Sequence, residues 1–311
     1  MSVEFHVPLP APLDVAGSLE LFRRSGDDLI DRWDGVRLIR AVPVADGWVP
    51  FTARPAGSVR DPGFAATMSD GCQVEKVRAA VASTFVPAPD DYARLLAEDA
   101  VLAALDACFP GIRQIRQLDL FTALVRCISA QQVNLRWAVI TRRRLAEAFG
   151  TRHEVCGQAV YALDPRRIAG VDPAEIRALQ FTTSKAVSLV ASAQAIVNNN
   201  EGLSVESLAD RSDDEVISQL VRIKGIGRWS ADWVLARTLG RPRVVAGDLG
   251  VRKAVGLAYL STPSPSEAEV RAATAHWGES AGTAQALVLH ALGEGALSPA
   301  KPPVSRVASR Q

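Results

Sequence analysis

The spacing of apolar residues divides the chain into two parts. Up to about residue 85, short apolar runs at 36–44 and 47–55 are bounded by glycine, proline and Asp-Gly pairs, which mark strands and tight turns. Stretches at 19–24 and 74–85 have helical spacing instead. The pattern predicts a small antiparallel sheet packed with helices, whose core contains Trp33, Trp48 and Phe51.

From residue 90 onward the period becomes helical. An apolar stripe at three- and four-residue spacing predicts a long helix with the buried positions Leu120, Phe121, Leu124, Val125 and Ile128. Gln131 and Gln132 interrupt the stripe before it resumes at Trp137. Two amide side chains need polar partners, so we expect a turn here that is open to solvent or to a ligand.

Further helix starts follow along the chain. A helix should open at Thr183 or Ser184, and Ser212 with Glu215 forms a capping box for the next one. Ser264, with Pro265 at the first helical position, predicts another start. A last helix is expected near 283–292, and a helix after Asp248 should run to residue 258.

The stretch 220–253, which reads LVRIKGIGRWSADWVLARTLGRPRVVAGDLGVRK, concentrates candidate chemistry. Gly225 and Gly227 predict a tight turn between two helices that leaves backbone amides bare, a ready site for a phosphate. Eight basic residues stand against two acidic ones, Asp232 and Asp248, a local balance of +6 in a chain whose total is only +1. This concentration of charge favours a surface that contacts a nucleic-acid backbone.

The same residues resemble a known family. GIGRWSADWVLAR followed by VAGDLGVRK is similar to the helix-hairpin-helix DNA glycosylases of the 3-methyladenine DNA glycosylase II type, and the resemblance extends over roughly 118–290. It implies that the hairpin holds a DNA phosphate, often with a monovalent cation. The DNA-binding residues would be Lys224, Gly225, Ile226, Gly227 and Arg228. It also implies that Asp248 drives base excision.

The chemistry of that reaction needs a fixed carboxylate. Positive charge develops on the sugar as the base leaves, and an aspartate beside it can stabilise the charge and orient water. Asp248 has an alternative interpretation as an ordinary helix N-cap, which would also hold the carboxylate still. The two interpretations are compatible.

An extruded base needs a pocket and leaves a gap in the duplex. By resemblance, Gln132 fills that gap, and Trp229 with Trp233, which share one face of a helix, form the aromatic pocket. The alternatives are a solvated glutamine pair and tryptophans that only pack in the core. The pocket differs from the best-known member, since Leu249 stands where that protein has tyrosine and Ser280 replaces a tryptophan.

By resemblance, bifunctional relatives also cleave the strand through a hairpin lysine, and that position is Trp229 here. Some carry an iron–sulfur cluster, but no cysteine follows Cys156, and the four cysteines include no C-x-x-C pair, as is typical of a reducing compartment. No metal spacing is present. We therefore expect a monofunctional hydrolase with no cofactor beyond a monovalent cation at the hairpin.

The sequence as a whole predicts an α+β protein: a small α+β domain at 1–85, a helical glycosylase core at 86–295 with its hairpin at 223–228, and a disordered tail at 296–311. The expected activity is hydrolytic removal of alkylated bases from damaged double-stranded DNA by a cytoplasmic monomer without membrane contact. Two alternatives stay open, a catalytically silent binder of DNA damage and a glycosylase for another modified base.

Overall fold

A computed structural model describes residues 2–45, 47–198 and 202–297. Its N-terminal part is a five-stranded antiparallel sheet with the strand order β1-β5-β4-β3-β2. The strands are β1 Val3–Pro8, β2 Arg32–Trp33, β3 Leu38–Val44, β4 Gly47–Ser58 and β5 Asp61–Met68. Two helices, α1 (Val15–Arg23) and α2 (Val74–Ala82), accompany the sheet.

The sheet is built around its long central strands. In β4 and β5, Phe51 pairs with Met68 and Ala53 with Ala66, and all four side chains are buried. Trp33 also lies in this core, whereas Trp48 is only half-buried. The predicted small antiparallel sheet domain is confirmed.

The remainder is mainly helical, as predicted. The helices are α3 Tyr92–Glu98, α4 Ala100–Cys108, α5 Leu120–Ala130, α6 Leu135–Phe149, α7 Pro165–Ile168, α8 Pro173–Ala178, α9 Thr183–Asn198, α10 Val205–Ala209, α11 Asp213–Leu220, α12 Arg228–Val234, α13 Leu249–Val255, α14 Glu267–Ala273 and α15 Ala281–Gly293. Two π-helical turns, Leu235–Leu239 and Gly256–Leu260, extend α12 and α13.

These helices pack around two apolar clusters. One joins α5, α9, α11 and α12 around residues such as Leu124, Leu189 and Val234. The other cluster joins α3 and α4 to α13 and α15 and includes the buried Trp277. In the chain, α3 and α4 come before the helices of the first cluster, and α13 and α15 come after them. The chain therefore crosses between the two clusters twice, and the segment from the hairpin to α13 lies where they meet.

Two expectations about helix and strand positions were wrong. The helical region contains a two-stranded hairpin, β6 (Thr151–Val155) with β7 (Gln158–Ala162). Val155 and Val160 of this hairpin pack on Ile39 of the sheet, which explains why so short an element persists. The cap of α14 is Ser266, bonded to the amide of Glu269, and not Ser264.

A buried ionic network ties the sheet domain to the helices. Asp31 accepts from Arg40 at 2.6 Å and from Arg126 at 2.9 Å, and Asp28 accepts from Arg142 at 2.8 Å. Burial opposes ionisation of Asp28, but the two arginines beside it, Arg126 and Arg142, hold its pKa below the usual range. Separating the partners would leave uncompensated buried charges, which is strongly destabilising. The network therefore holds α5 and α6 against the sheet.

The predicted tail at 296–311 falls almost entirely outside the described residues. Within the described part of the chain, no helix is long and apolar enough to span a membrane.

Candidate active site

The predicted hairpin lies between α11 and α12. Ser212 and Glu215 form the expected capping box at the start of α11. The turn is closed by the amides of Ile223, bonded to Leu220 O at 3.0 Å, and of Ile226, bonded to Ile223 O at 3.0 Å. Both isoleucine side chains are buried. The amides of Gly225 and Gly227 find no acceptor among the described residues, so they are available to a ligand.

The two glycines differ in what requires them. Gly225 has φ +85° and sits directly on Ser188 of α9, where an added Cβ would lie 1.8 Å from the Ser188 hydroxyl. Gly227 has φ −105°, an ordinary extended value, and a Cβ there would meet nothing within 4 Å. A Cβ at Gly227 would therefore not strain the turn. Of the two positions, only 225 requires glycine, because of its positive φ and its close approach to Ser188.

The turn after α5 lies beside the hairpin. Gln131 ends α5 and donates from its side-chain amide to Gly225 O at 3.2 Å. Gln132 is exposed and has φ +54°, a left-handed conformation that costs a non-glycine residue about 1 kcal/mol. Asn134 then caps α6 through the amide of Trp137. The open turn expected from the sequence is confirmed, and the bond from Gln131 to Gly225 O holds this turn against the hairpin.

Asp248 occupies the N-cap of α13. Its carboxylate accepts from the amide of Val251 at 3.0 Å, and its side chain is half-buried. The structure thus bears out the N-cap interpretation, which leaves a role in catalysis open because the second carboxylate oxygen accepts no hydrogen bond from the described residues. Leu249, the next residue, is 75% exposed.

A half-buried arginine, Arg237, interacts with the charge of this aspartate. Arg237 is on the π-helical turn that follows α12, a helix irregularity often found at functional sites. Burial lowers the pKa of the Arg237 guanidinium, and the charge of Asp248 opposes that shift. Burial also raises the pKa of the Cys127 thiol, which lies in the same interior region. Neither Arg237 nor Cys127 was singled out from the sequence.

The two candidate pocket tryptophans are half-buried against the cluster of α5, α9 and α12. The indole of Trp229 lies against Gly247, the residue that precedes Asp248. A Cβ built at Gly247 would lie 3.5 Å from the indole. The guanidinium of Arg237 lies over the ring of Trp233, 5.4 Å from its centroid. Trp229 therefore borders the aspartate region, and one face of Trp233 is already occupied by a cation of the protein.

Much of the positive charge counted at 220–253 is neutralised or buried. Arg243 bonds the buried Asp232 at 2.9 Å and Asp213 at 3.0 Å. Arg228 also reaches Asp232, at 3.1 Å, but remains largely exposed. Lys224 is exposed and makes no ion pair with a described residue. The charge available to DNA at the hairpin is therefore smaller than the sequence count of +6 indicates.

A narrow cleft opens beside Arg237, and neither Asp248 nor the two tryptophans line it. It is bounded by α1, the segment 112–115, the π-helical turn and α15, so both the sheet domain and the helices contribute. Leu289 on its wall faces Gly250, two residues after Asp248. The polar residues that line it are Ser18, Arg24, Arg113, Gln114, Arg237 and His290. A cleft assembled from four distant segments leaves no local sequence signal.

Ser280, which stands at a tryptophan position of the resembled family, lies away from this cleft. Ser280 is buried and donates to Asp91 at 2.7 Å, so it supports the start of α3 and not a base pocket. Among the described residues, no three His, Cys, Asp or Glu side chains come together in a metal-binding group.

Comparison with known proteins covers the part of the chain that contains the hairpin and Asp248. The family model of the HhH-GPD superfamily base excision DNA repair proteins matches residues 125–280. A DNA-3-methyladenine glycosylase of Bacillus subtilis is 29% identical over 173 residues, which cover 55% of this chain and 56% of that protein. The chain thus spans under two thirds of the length of the curated relatives that it matches.

Solved structures agree on the fold. The 3-methyladenine DNA glycosylase from Archaeoglobus fulgidus has a TM-score of 0.80 and 23% identity, over 93% of this chain and 98% of that one. An 8-oxoguanine glycosylase/lyase from Clostridium acetobutylicum, in complex with double-stranded DNA, has a TM-score of 0.70 and 18% identity, covering 92% and 93%. At these identities the likeness establishes a shared architecture and leaves the substrate open.

Proposed function

The chain belongs to the HhH-GPD superfamily of base excision DNA repair proteins, and from this premise we propose that it is a monofunctional DNA glycosylase. It hydrolyses the N-glycosidic bond of alkylated bases in double-stranded DNA. The name of the matched Bacillus relative supports alkylated bases as the substrate class.

The observation that carries the proposal is the position of Asp248. Its carboxylate is held by the Val251 amide at a helix N-terminus, and the preceding residue, Gly247, lies against Trp229 directly after the turn with free amides. Cleavage of the glycosidic bond builds positive charge on the sugar, and a fixed carboxylate stabilises that charge. The same carboxylate orients a water molecule for attack at the anomeric carbon.

DNA is held by the backbone in this proposal. The free amides of Gly225 and Gly227 bind a phosphate oxygen, and exposed Lys224 and Arg228 add charge. Gln132 enters the duplex in place of the extruded base. The hydrogen bond from Gln131 to Gly225 O holds the turn that carries Gln132 against the hairpin. Trp229 and Trp233 border the extruded base.

A monovalent cation at the hairpin is part of the proposal. Such a cation takes oxygen ligands, and the turn supplies backbone carbonyls. The carbonyls of Ile223 and Gly225 each accept one hydrogen bond, from Ile226 N and from Gln131. Because a carbonyl oxygen has two lone pairs, both can still bind a cation, and its charge would strengthen the phosphate contact.

Hydrolysis without strand cleavage follows from the residue at the lysine position of bifunctional relatives. Trp229 there has no amine to form a Schiff base. The alternative of a silent binder is disfavoured by Asp248, since a carboxylate close to a phosphate site weakens binding unless it serves the chemistry.

The test is a glycosylase assay on duplexes that carry alkylated bases, each compared with the undamaged duplex. We expect base release that becomes visible as strand cleavage only after alkali, and no covalent adduct on addition of borohydride. A trapped adduct with the wild-type protein would show that it is bifunctional. No base release from any duplex, together with tight binding to damaged DNA, would identify a silent binder.

A further inference from the structure

We propose that Asp232 is a positioning residue that couples the hairpin to Asp248. This buried aspartate of α12 holds the segment that leads to Asp248 in place, and with the same carboxylate it holds Arg228 back from the DNA backbone. The inference rests on the proposed glycosylase function and adds a residue to it. Asp232 touches neither the base nor the sugar in this proposal, so it acts only through its arginine partners.

Three arginines from different parts of the chain meet at Asp232, which is 2% exposed. Its carboxylate accepts from Arg243 at 2.9 Å and from Arg228 at 3.1 Å, and Arg271 lies 3.7 Å away. Breaking such a pair leaves buried charge uncompensated, so each pair is a strong tie. The three partners belong to the loop before Asp248, the end of the hairpin and α14, and one carboxylate therefore joins these elements.

The first connection to Asp248 runs through Arg243. This arginine lies in the segment 240–248, which belongs to no helix or strand. Its two terminal nitrogens bond Asp232 and Asp213, so the segment is tied to both helices of the hairpin, α12 and α11. Because the segment lacks the regular hydrogen bonds of a helix or strand, such side-chain ties fix its path, and with it the position of Asp248.

The second connection runs through α14. Arg271 is paired there with Glu267, at the start of the helix. Glu267 in turn lies against Gly247, since a Cβ built at that glycine would be 3.4 Å from Glu267 Oε2. The indole of Trp229 on α12 approaches the same glycine. The residue before Asp248 is thus packed against two helices that the Asp232 network joins.

Arg228 is the partner whose pairing opposes DNA binding. It is the first residue of α12, directly after Gly227, and 57% of its side chain is exposed. Arg243 and Arg271 each have a second carboxylate, whereas Arg228 pairs with Asp232 alone among the described residues. A phosphate bound at the hairpin amides must therefore compete with Asp232 for this guanidinium.

Asp232→Asn should therefore have opposite effects on binding and on chemistry. Asparagine keeps an oxygen that accepts from Arg243 but has no charge to hold Arg228. Affinity for undamaged duplex should rise about twofold to fivefold, and the slope of log affinity against log salt should steepen by up to about 0.9, because one more phosphate contact forms. Base release at saturating protein should fall by about tenfold or more, because a small displacement of Asp248 misaligns it with the sugar.

The experiment makes both measurements on the same preparations. Binding to an undamaged duplex is titrated with salt, and single-turnover release is measured with excess protein on a duplex that carries one alkylated base. A merely structural role predicts that affinity and rate fall together as the variant loses stability. Opposite signs are therefore the diagnostic result, and urea unfolding shows whether each variant is folded under the assay conditions.

Three further variants locate the effect. When Asp232→Asn is combined with Arg228→Gln, the gain in affinity should disappear while the slower release remains. Arg243→Met cuts only the connection to the segment, so release should fall by about tenfold with no gain in affinity. Asp232→Glu restores the charge and should bring both quantities back toward their wild-type values.

Asp28→Asn is the matched control. Asp28 is 3% exposed and also pairs with two arginines, Arg126 and Arg142, but it bonds no described residue of the hairpin or of 240–248. The substitution should lower stability, because it removes a buried charge between two others. In the folded protein it should change neither affinity nor release.

The outcomes separate the two proposals. Release by Asp232→Asn at the wild-type rate, or affinity that does not rise, overturns the inference and leaves the glycosylase proposal standing. If Asp232→Asn does not fold, Arg243→Met decides, and an unchanged release rate in that variant overturns the inference. No release of any base by the wild-type protein overturns both proposals.

Discussion

The hairpin and the cleft are built from different parts of the chain. The hairpin at 223–228 presents backbone amides, and its fold depends on one left-handed glycine packed on Ser188. The cleft presents side chains from four separate segments, and its most distinctive group is the unpartnered guanidinium of Arg237.

This difference determines which part of the DNA each surface can recognise. Backbone amides are the same for every residue, so the hairpin can hold any phosphate and cannot distinguish bases. Side chains in a partly desolvated cleft have individual charges and donors, so they can distinguish one base from another. Asp248 belongs to neither the hairpin nor the cleft, because its proposed role is in bond cleavage. The following predictions test that division.

The largest effect is expected at Asp248. Asp248→Asn keeps the cap on Val251, because asparagine caps a helix about as well as aspartate, but it removes the charge that stabilises the sugar cation. Base release should fall by about 100-fold or more, while affinity for damaged duplex stays within about threefold. Single-turnover release and equilibrium binding measure the two quantities.

A matched control is Asp172→Asn. Asp172 also caps a helix, through the Ala174 amide at 2.8 Å, but lies on α8 away from the cleft. It should change neither release nor binding. Release by Asp248→Asn within tenfold of the wild-type rate would contradict the catalytic assignment.

An intermediate effect is expected at the hairpin glycines. Gly225→Ala places a Cβ on Ser188 and forces a non-glycine residue to φ +85°, so stability should fall by about 2 kcal/mol or more. Binding to damaged and undamaged duplexes should weaken together. Gly227→Ala is the control, since φ −105° and open space at its Cβ leave the fold intact. Urea unfolding and duplex binding at fixed salt test both.

Two results would break this part of the comparison. Unchanged stability of Gly225→Ala would show that the turn does not depend on the left-handed position. Selective loss of binding to one type of modified base in that variant would show that the hairpin also reads bases.

The smallest effect is expected at the hairpin cations. Lys224→Gln should weaken binding a few-fold and reduce the slope of log affinity against log salt by somewhat less than one, because one phosphate contact is lost. Arg228→Gln should have a smaller effect, since Arg228 is shared with Asp232 at 3.1 Å. A larger change in slope for Arg228 than for Lys224 would mean that the Asp232 pair opens when DNA binds.

Much of the architecture was predictable because it depends on local pattern. The helical stripe at 120–128, the capping box at Ser212 and the hairpin of Gly225 all reflect short-range spacing, and each lies where it was expected. The strands β6 and β7 were missed because five-residue strands need a partner to persist, and that partner, Ile39, is more than a hundred residues away. Ser264 failed as a cap because Ser266 offers the same chemistry two residues later.

The sequence by itself determined the fold class, the presence of a phosphate-type turn and a lone aspartate behind it, because glycine conformation, helix capping and apolar period act over a few residues. The tertiary structure decided which charges remain free and what surrounds the aspartate. Asp232 removes Arg243 from the charged surface, and packing places the guanidinium of Arg237 over Trp233 with its Nε buried and without a hydrogen-bond partner among the described residues. Charge and donors are properties of a residue, but their availability depends on neighbours that only the folded chain brings together.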